Sequence, residues 1–206
     1  MDLQTILDLS SRNHSHLCPR QILGARIGLA GMAALGFNEP PAKKRLLVIT
    51  ESDGCFADGL IAATACTVGH RTLRVEDYGK VAATFVDTHT GRAVRVAPHL
   101  EVRQRAYAYV PEVHRRYFTQ LKAYQIMPDS ELLTIREVCL NMPVGEIISR
   151  AGVRVNCAVY GKEIINEREI KKEYLILCRA CAGASYYQPV GQDIILSYAL
   201  HEKSTL

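Results

Sequence analysis

The chain has 206 residues, 48% of them hydrophobic, so it can bury a core in one domain with an appendage or in two small domains. Its 25 basic and 21 acidic residues leave a net charge of +4, which is too small to predict binding to nucleic acid or to a membrane surface. No signal peptide opens the chain, and the longest apolar run, residues 22–37, is too short to span a bilayer, so we expect a cytoplasmic protein. Seven unevenly spaced cysteines favour metal ligands, reactive thiols and buried residues over a disulfide framework.

The segment HSHLCP, residues 14–19, combines several metal-ligating side chains. Because a residue before proline favours an extended backbone, we expect Cys18 to lie just outside a helix that begins at the proline. In an extended segment His14, His16 and Cys18 point to the same side. Two imidazoles and a thiolate form a suitable site for zinc or another transition metal. The alternative is that one histidine caps or packs and that Cys18 is buried.

Residues 19–35 predict a helix in which three glycines share one face. Each glycine costs up to about 1 kcal/mol of helix stability relative to alanine, a cost that is offset if another element packs very close. The small-residue face of the next predicted helix is the natural partner, and such packing would bring Cys18 toward Cys55. The three glycines are Gly24, Gly28 and Gly31, and the partner face is Gly59, Ala62 and Ala63.

The segment around Cys55 predicts a buried strand over residues 43–50, followed by a helix that runs to about Cys66. Ser52 or Asp53 would cap this helix and place Cys55 in its first turn. Because the helix dipole favours negative charge there, we expect a lowered pKa for Cys55 and a thiolate that binds a metal or attacks an electrophile. Cys66, at the other end, is expected to be a small buried residue.

The other segments up to residue 148 predict an α+β core, in which an antiparallel sheet packs against helices. Further strands are predicted over residues 71–76, 80–87 and 92–97, and further helices over residues 3–12, 100–124 with a break at Pro111, and 129–140. Thr90 and Gly91 would join the last two strands as a hairpin. Asp129 or Ser130 would cap the last helix.

The segment after residue 148 carries three further cysteines, of which Cys157 precedes a CxxC pair, Cys178 and Cys181. Two CxxC pairs would predict a zinc site of four thiolates. Tyr160 stands where the fourth thiolate belongs, so zinc would take three cysteines with water or a remote ligand such as His201. The alternatives are a module that has lost its metal and a redox CxxC pair, although the strand-then-helix context typical of a redox pair is absent.

Several ordered motifs together resemble the FmdE family, which is named for a component of formylmethanofuran dehydrogenase. They are HSHLCP followed by GAR, then DGCFADGL, CTVG, DYGKVAATF and TGRAVRV, and finally the cysteine-bearing tail. The resemblance implies an α+β core over residues 1–148 that forms a homodimer, and a treble-clef zinc finger over residues 149–206. It also implies a link to a molybdenum or tungsten oxidoreductase.

The resemblance carries the family's functional positions onto this chain. In the core they are His14, His16, Cys18, Cys55, Asp58, Cys66, Thr67 and Lys80, and in the finger they are Cys157, Cys178 and Cys181. Three positions depart from the family pattern. Ala65 and Arg20 stand where relatives have glycine, and Tyr160 replaces a finger cysteine.

Three functions fit these residues. The first is a homodimeric metalloprotein whose core thiolates and imidazoles hold a transition metal or metal cofactor, accessory to or acting as an oxidoreductase of one-carbon, molybdenum or tungsten metabolism. The second is a metal-independent enzyme in which Cys55 or Cys18 is a nucleophile or redox thiol, Asp58 or a nearby histidine is the base, and Lys80 stabilises negative charge. The third is a module that binds a partner through the finger, for which nucleic acid is the least favoured ligand.

Overall fold

The computed structural model describes residues 2–13 and 16–190, and the chain divides into two units, Met1–Ile148 and Ser149–Leu206. The helices of the first unit are α1 (Leu3–Ser10), α2 (Pro19–Ala34), α3 (Cys55–Thr64), α4 (Val102–Tyr109), α5 (Arg116–Ile126), α6 (Asp129–Leu132) and α7 (Val144–Ile148). Its strands are β1 (Leu46–Thr50), β2 (Leu73–Val75), β3 (Ala83–Asp87), β4 (Ala93–Pro98) and β5 (Leu133–Val138). None of the described helices is both long and apolar enough to cross a membrane.

The five strands form one sheet in the order β2-β1-β3-β4-β5. The pairs β1–β3, β3–β4 and β4–β5 are antiparallel, as expected, and β3 and β4 form the predicted hairpin. The expectation of a wholly antiparallel sheet is wrong at one edge, because β2 runs parallel to β1. The chain passes from β1 to β2 through α3, and a helical crossover of this kind returns the chain in the same direction. The sheet is therefore mixed.

The helix expected over residues 129–140 is mostly a strand. It begins as the single turn α6, and β5 then pairs with β4 so that Ile135 lies opposite Val96. The sequence of β5 is rich in β-branched residues, which favour a strand wherever a partner strand is available. The prediction that Asp129 or Ser130 caps this helix is also wrong, because Pro128 precedes α6 and no side chain caps it. Only one helical turn forms before the chain pairs with β4.

The two faces of the sheet have different coverings. On one face, Val48, Phe85 and Val96 are fully buried in the main core together with the apolar sides of α1 to α5. Because side chains alternate along a strand, their neighbours point to the other face. Part of that second face is covered by α7 in a smaller apolar cluster, which includes Leu47, Val86, Ala93, Val144 and Ile147.

Helices α2 and α3 pack backbone to backbone through the predicted glycines. A Cβ atom added at Gly24 would lie 2.2 Å from the Phe56 carbonyl oxygen, and one added at Gly59 would lie 2.2 Å from the Gln21 carbonyl oxygen. Gly28 faces Ala63 in the same interface. The predicted close packing of these helices is therefore confirmed. Gly31 does not take part in this helix contact, because Gly31 faces the ring of Phe85 on β3 instead of α3.

The glycine contact predicts a large effect from a small substitution. We expect Gly24→Ala to lower the free energy of unfolding by about 1–3 kcal/mol, because the added methyl group overlaps backbone atoms that cannot move aside. Urea denaturation monitored by circular dichroism measures this change. Gly145→Ala is the matched control, since an added Cβ atom there meets nothing within 4 Å. Equal stability of the two variants would contradict the packing.

Arg26 fastens the end of α5 to α2. Its guanidinium donates hydrogen bonds to the carbonyl oxygens of Tyr124 at 2.8 Å and Met127 at 2.6 Å, and it pairs with Asp129 at 2.7 Å. The Arg26 side chain is only 11% exposed, whereas that of Asp129 is 59% exposed. The arginine therefore acts mainly as a cap for the carbonyl groups that α5 leaves unpaired at its end.

Arg26→Gln should destabilise the fold more than Asp129→Asn does. The first change leaves buried carbonyl oxygens with fewer donors, which costs about 1–3 kcal/mol of unfolding free energy. The second removes only a solvent-exposed ion pair, worth about 0–1 kcal/mol. Thermal and urea unfolding of the two variants provide the comparison. The capping role is wrong if Asp129→Asn costs as much stability as Arg26→Gln.

The second unit contains two short hairpins and a helical turn. Strand β6 (Arg154–Asn156) pairs with β7 (Glu163–Ile165), β8 (Ile170–Lys172) pairs with β9 (Leu175–Leu177), and the helical turn spans Ala180–Ala184. Its small core is formed by three buried side chains, Cys157, Ile164 and Leu177. One of these is itself a thiol and another precedes a cysteine, so little apolar burial is left to stabilise so small a unit.

Candidate functional site

Cys18 occupies the position that the following proline dictates. It is the residue before α2, with an extended backbone at φ −125° and ψ 156°. The buried Gln21 side chain accepts a hydrogen bond from the Cys18 amide at 2.9 Å and donates one to the Ser10 carbonyl at 3.1 Å. These two bonds fix the cysteine between the end of α1 and the start of α2. The prediction that Cys18 lies just outside the helix is confirmed.

Cys55 is the first residue of α3, as predicted, but the capping prediction is wrong. Neither Ser52 nor Asp53 caps the helix; Gly54 precedes it with φ 65° and ψ −149°. Only glycine readily adopts that backbone conformation, so the start of α3 is set by a sharp backbone turn and not by a capping side chain. The turn leaves Cys55 half-buried at the edge of the α2–α3 interface.

The α2–α3 packing brings the two thiols close enough to interact electrostatically. Burial raises the pKa of Cys55, and the Cys18 sulfur raises it further, while the backbone and the Arg20 guanidinium lower it by smaller amounts. The expectation of a lowered pKa is therefore wrong. The free N-H groups of the helix start are present, but desolvation and a second sulfur outweigh them.

Tyr117 on α5 is the residue of this site that the sequence does not reveal. Its hydroxyl donates a hydrogen bond to the Leu17 carbonyl at 3.0 Å. Burial and the nearby sulfurs of Cys18 and Cys55 raise the pKa of Tyr117, so the phenol lies in the neighbourhood of both thiols. Nothing in the sequence around Tyr117 distinguishes it, because only the packing of α5 beside α2 brings it to the cysteines. We name Cys18, Cys55 and Tyr117 the thiol cluster.

The other predicted core residues lie in three different environments. Asp58 is half-buried in the first turn of α3, one turn after Cys55, and His16 is exposed before Cys18. His14 lies outside the described residues. Lys80 lies in the loop between β2 and β3, where it lines a cavity of about 440 Å³, and its ammonium group lies 5.8 Å from the centre of the Tyr78 ring.

Cys66 is buried, as predicted, and donates a hydrogen bond to the Leu46 carbonyl at 3.5 Å. It lies just beyond the end of α3, because Ala65 takes the left-handed conformation with φ 55°. Burial raises the pKa of this thiol. Cys66 is thus a structural residue below the sheet edge and contributes no ligand to the thiol cluster.

The three tail cysteines form a group that could hold a metal ion. The sulfur atoms of Cys157, Cys178 and Cys181 all lie within 4.8 Å of one another, and within residues 2–13 and 16–190 no other three His, Cys, Asp or Glu side chains lie so close. Backbone amides point at the sulfurs: Cys178 and Tyr160 donate to Cys157 at 3.3 and 3.4 Å. Such N-H···S bonds stabilise thiolates, the form that binds metals.

These contacts shift the pKa values of the tail thiols in opposite directions. The amide hydrogen bonds, from Cys178 first and Tyr160 second, lower the pKa of Cys157 to about 6. The hydrogen bond to the Cys178 sulfur and burial raise the pKa of Cys181 to about 11. Without a metal, three sulfurs this close share protons, and a thiophilic cation such as zinc would replace them.

Tyr160 takes part in this group through its backbone. Its amide donates to Cys157, whereas its ring lies 4.6 Å from the Lys162 ammonium group and its hydroxyl accepts a hydrogen bond from that group at 3.4 Å. The tyrosine therefore retains the turn geometry of a CxxC loop without supplying its second thiolate. His201, the candidate remote ligand, lies outside the described residues.

We expect Cys178→Ser to remove about one bound metal ion per chain, because a hydroxyl is a much weaker ligand than a thiolate for a thiophilic ion. Elemental analysis of protein purified without chelators measures the loss. Cys139→Ser is the matched control, since Cys139 is an exposed thiol outside the three-cysteine group. Unchanged metal content in Cys178→Ser would show that the tail cysteines hold no ion.

Comparisons with known proteins agree with this fold. A curated relative from Archaeoglobus fulgidus, named "Probable S-adenosyl-L-methionine-binding protein", is 30% identical over 200 residues. The match covers 88% of this chain and 53% of the relative, so the chain spans about half the length of that protein.

A crystal structure from Syntrophus aciditrophicus, of a tungsten formylmethanofuran dehydrogenase FmdE-like protein, has the same fold with a TM-score of 0.59. The two chains are 21% identical, and the match covers 91% of this chain and 96% of the other. The family model described as "FmdE, Molybdenum formylmethanofuran dehydrogenase operon" matches residues 13–148, which include the thiol cluster. The chain therefore belongs to the FmdE family.

Proposed function

We propose that this chain is a metal-binding protein whose core site, built around Cys18 and Cys55, holds a transition metal or a metal-containing cofactor. The observation that carries the proposal is the close packing of α2 on α3, which brings Cys18 near enough to Cys55 to raise its pKa. The two cysteines come from the starts of these helices, and the helices approach so closely that only glycine fits between them. Two neighbouring thiols can supply two ligands to one ion.

His14 and His16 complete the proposed ligand set. They precede Cys18 by four and two residues, so an extended segment would turn both imidazoles to the side of the thiol. Two thiolates with imidazole ligands suit zinc and other thiophilic transition metals. A bound ion with an open coordination position would supply Lewis-acid or redox chemistry. The Tyr117 hydroxyl, which lies near the two sulfurs, would then be a proton donor at the rim of the site.

The metabolic role that we propose follows from the family. Its description names the operon of molybdenum formylmethanofuran dehydrogenase. We therefore propose that the protein serves, or forms part of, a molybdenum or tungsten oxidoreductase of one-carbon metabolism. Seven free thiols suit a reducing compartment, for which the cytoplasm is our proposal.

We also propose a homodimer. Apolar side chains on α4 and α5 are exposed in the single chain, among them Tyr107 at 42%, Phe118 at 45% and Ile126 at 61%. Exposed aromatic residues are enriched at protein interfaces. A second copy of the chain would cover them and would border the thiol cluster, because Tyr117 lies on the same helix as Phe118.

For the tail we propose a treble-clef-like zinc module. The order of its parts supports this assignment: a cysteine in a turn between two strands, a second hairpin, and a cysteine pair at the start of a helical turn. Three thiolates would bind the ion, with water or a further side chain as fourth ligand. Such an ion would compensate for the small apolar core of this unit.

The test is the metal content of full-length protein purified without oxygen or chelators. We expect about two ions per chain in the wild type, one at the core cysteine pair and one at the three tail cysteines. Either Cys55→Ser or Cys157→Ser should leave about one ion per chain. Cys66→Ser is the control for loss of a buried thiol that is outside both sites. If Cys55→Ser retains the full metal content, the core proposal fails, whatever the result for the tail.

The same thiol pair supports a second candidate, a metal-independent enzyme with a nucleophilic or redox thiol. Asp58, one helical turn from Cys55, would be its base. Fast alkylation of Cys55 in metal-free protein, together with retained activity, would favour this function. The raised pKa of Cys55 predicts the opposite result, slow alkylation at neutral pH that accelerates as the pH rises above the ordinary thiol range.

A further inference from the structure

A basic cavity lies on the sheet face that the main core does not cover. Its volume is about 440 Å³, within the range of small-molecule sites. Arg95 and Ala97 of β4 line it, whereas their neighbours Val94 and Val96 point into the main core. The cavity is therefore separate from the thiol cluster, and its chemistry is independent of the proposed metal sites. We name it the cationic cavity.

The cationic cavity holds more positive than negative charge. Lys80, Arg95, His99 and Arg136 line it, and among the described residues no carboxylate contributes to the lining. The β4–β5 register places Arg95 directly opposite Arg136. Like charges directly opposite each other on neighbouring strands destabilise a sheet. The repulsion between the two arginines therefore lowers the stability of the sheet unless an anion neutralises their charge.

Glu51 neutralises one of the two arginines. Its carboxylate oxygens accept hydrogen bonds from Arg95 at 2.5 and 2.7 Å, in the two-pronged geometry typical of strong arginine–carboxylate pairs. The carboxylate is only 10% exposed, and the backbone of Glu51 is itself held by Lys80 and Ala82. Arg95 is thereby fixed in place at the wall of the cavity.

Arg136 and Lys80 differ from Arg95 in this respect. In the part of the chain that the structure describes, neither forms an ion pair with a carboxylate, and both are exposed at the cavity. The single carboxylate of Glu51 thus neutralises only one of the three cationic side chains around the cavity. A ligand that carries two negative charges would balance the remainder, with the His99 ring as an additional hydrogen-bond donor.

We propose that the cationic cavity binds the phosphate group of a small phosphorylated molecule. A phosphate monoester carries close to two negative charges at neutral pH and offers three acceptor oxygens, which suit an arginine fork and a lysine point charge. The cavity is larger than a phosphate ion needs, and its other walls include apolar side chains, Val81, Ala82 and Pro98. These walls fit the organic part of a small ester.

The first experiment is a thermal-unfolding series of the full-length protein with sodium phosphate, glycerol 3-phosphate or sodium acetate at matched ionic strength. Ligands that bind only the folded state raise Tm. We expect both phosphates to raise Tm and acetate to have no effect. A stronger effect of glycerol 3-phosphate assigns the site to an ester, and a stronger effect of phosphate assigns it to the free ion; both results support the phosphate site. An equal rise with acetate would overturn it.

The second experiment compares Arg136→Gln with Arg92→Gln by isothermal titration calorimetry. Arg136→Gln should weaken phosphate binding about tenfold or more, because it removes a charge-assisted contact. Arg92→Gln changes the net charge equally, but Arg92 pairs with Glu137 and does not line the cavity, so affinity should stay within about twofold.

The stability of ligand-free Arg136→Gln shows whether a loss of phosphate binding reflects the site or a damaged sheet. Removing one of two opposed arginines should leave ligand-free Arg136→Gln at least as stable as the wild type. A variant that is stable but has lost the phosphate-dependent rise in Tm supports the site. A stable variant that retains wild-type phosphate affinity refutes it.

Discussion

The contact between α2 and α3 is the constraint on which the rest of the core depends. At Gly24 and Gly59 the two helix backbones approach within the distance that a single methyl group would occupy. Glycine in a helix is costly, so the sequence retains these residues at the expense of helix stability. The contact sets the separation of the helix starts, and the helix starts carry Cys18 and Cys55. Packing therefore determines the chemistry of the site.

Other interactions hold this arrangement from outside. Gln21 ties the segment before α2 to α1, and Arg26 ties α2 to the end of α5. Through the second connection Tyr117 reaches the two thiols from a distant part of the chain. The three residues of the thiol cluster thus lie at the start of α2, in α3 and in α5, and these helices are held together by the glycine packing and by the hydrogen bonds of Gln21 and Arg26. A metal site benefits from such support, because ligands that are already in place lose little freedom when the ion binds.

Because side chains alternate along the strands, one face of the sheet is apolar and packs against the helices, whereas the other carries the charged residues of the cationic cavity. Val94 and Val96 bury themselves beneath the helices, while Arg95 between them points to the opposite face and pairs with Glu51. Glu51 ends the strand region that leads into α3, and its backbone also holds Lys80. One short segment after β1 therefore positions both the cysteine helix on one side and the cationic cavity on the other.

The sequence predicted what local physics controls. The proline after Cys18, the glycine face of α2 and the Thr90–Gly91 hairpin each specify structure within a few residues, and the structure agrees. It did not predict what depends on distant segments. The pKa of Cys55 rises because tertiary packing buries the thiol and brings a second sulfur near it, and Tyr117 joins the site only through such packing.

The same limit explains the errors in secondary structure. Residues 133–138 have a helix-capping sequence before them, but the free edge of β4 supplies hydrogen bonds that override it. The start of α3 depends on the unusual backbone of Gly54, which a search for capping side chains does not detect. In the tail, cysteine spacing predicted the three-thiol group correctly, because the CxxC turn is local and Tyr160 preserves it through its amide.

The most direct test of the central claim is cross-linking of neighbouring thiols in chelator-treated, reduced protein with dibromobimane, followed by peptide mapping. A link between the peptides that contain Cys18 and Cys55 is the predicted product, because the packing of α2 on α3 places the two sulfurs near each other. Gly24→Ala should reduce its yield by separating the helices. Recovery of Cys18 and Cys55 on separate, unlinked peptides in the wild type would contradict the contact.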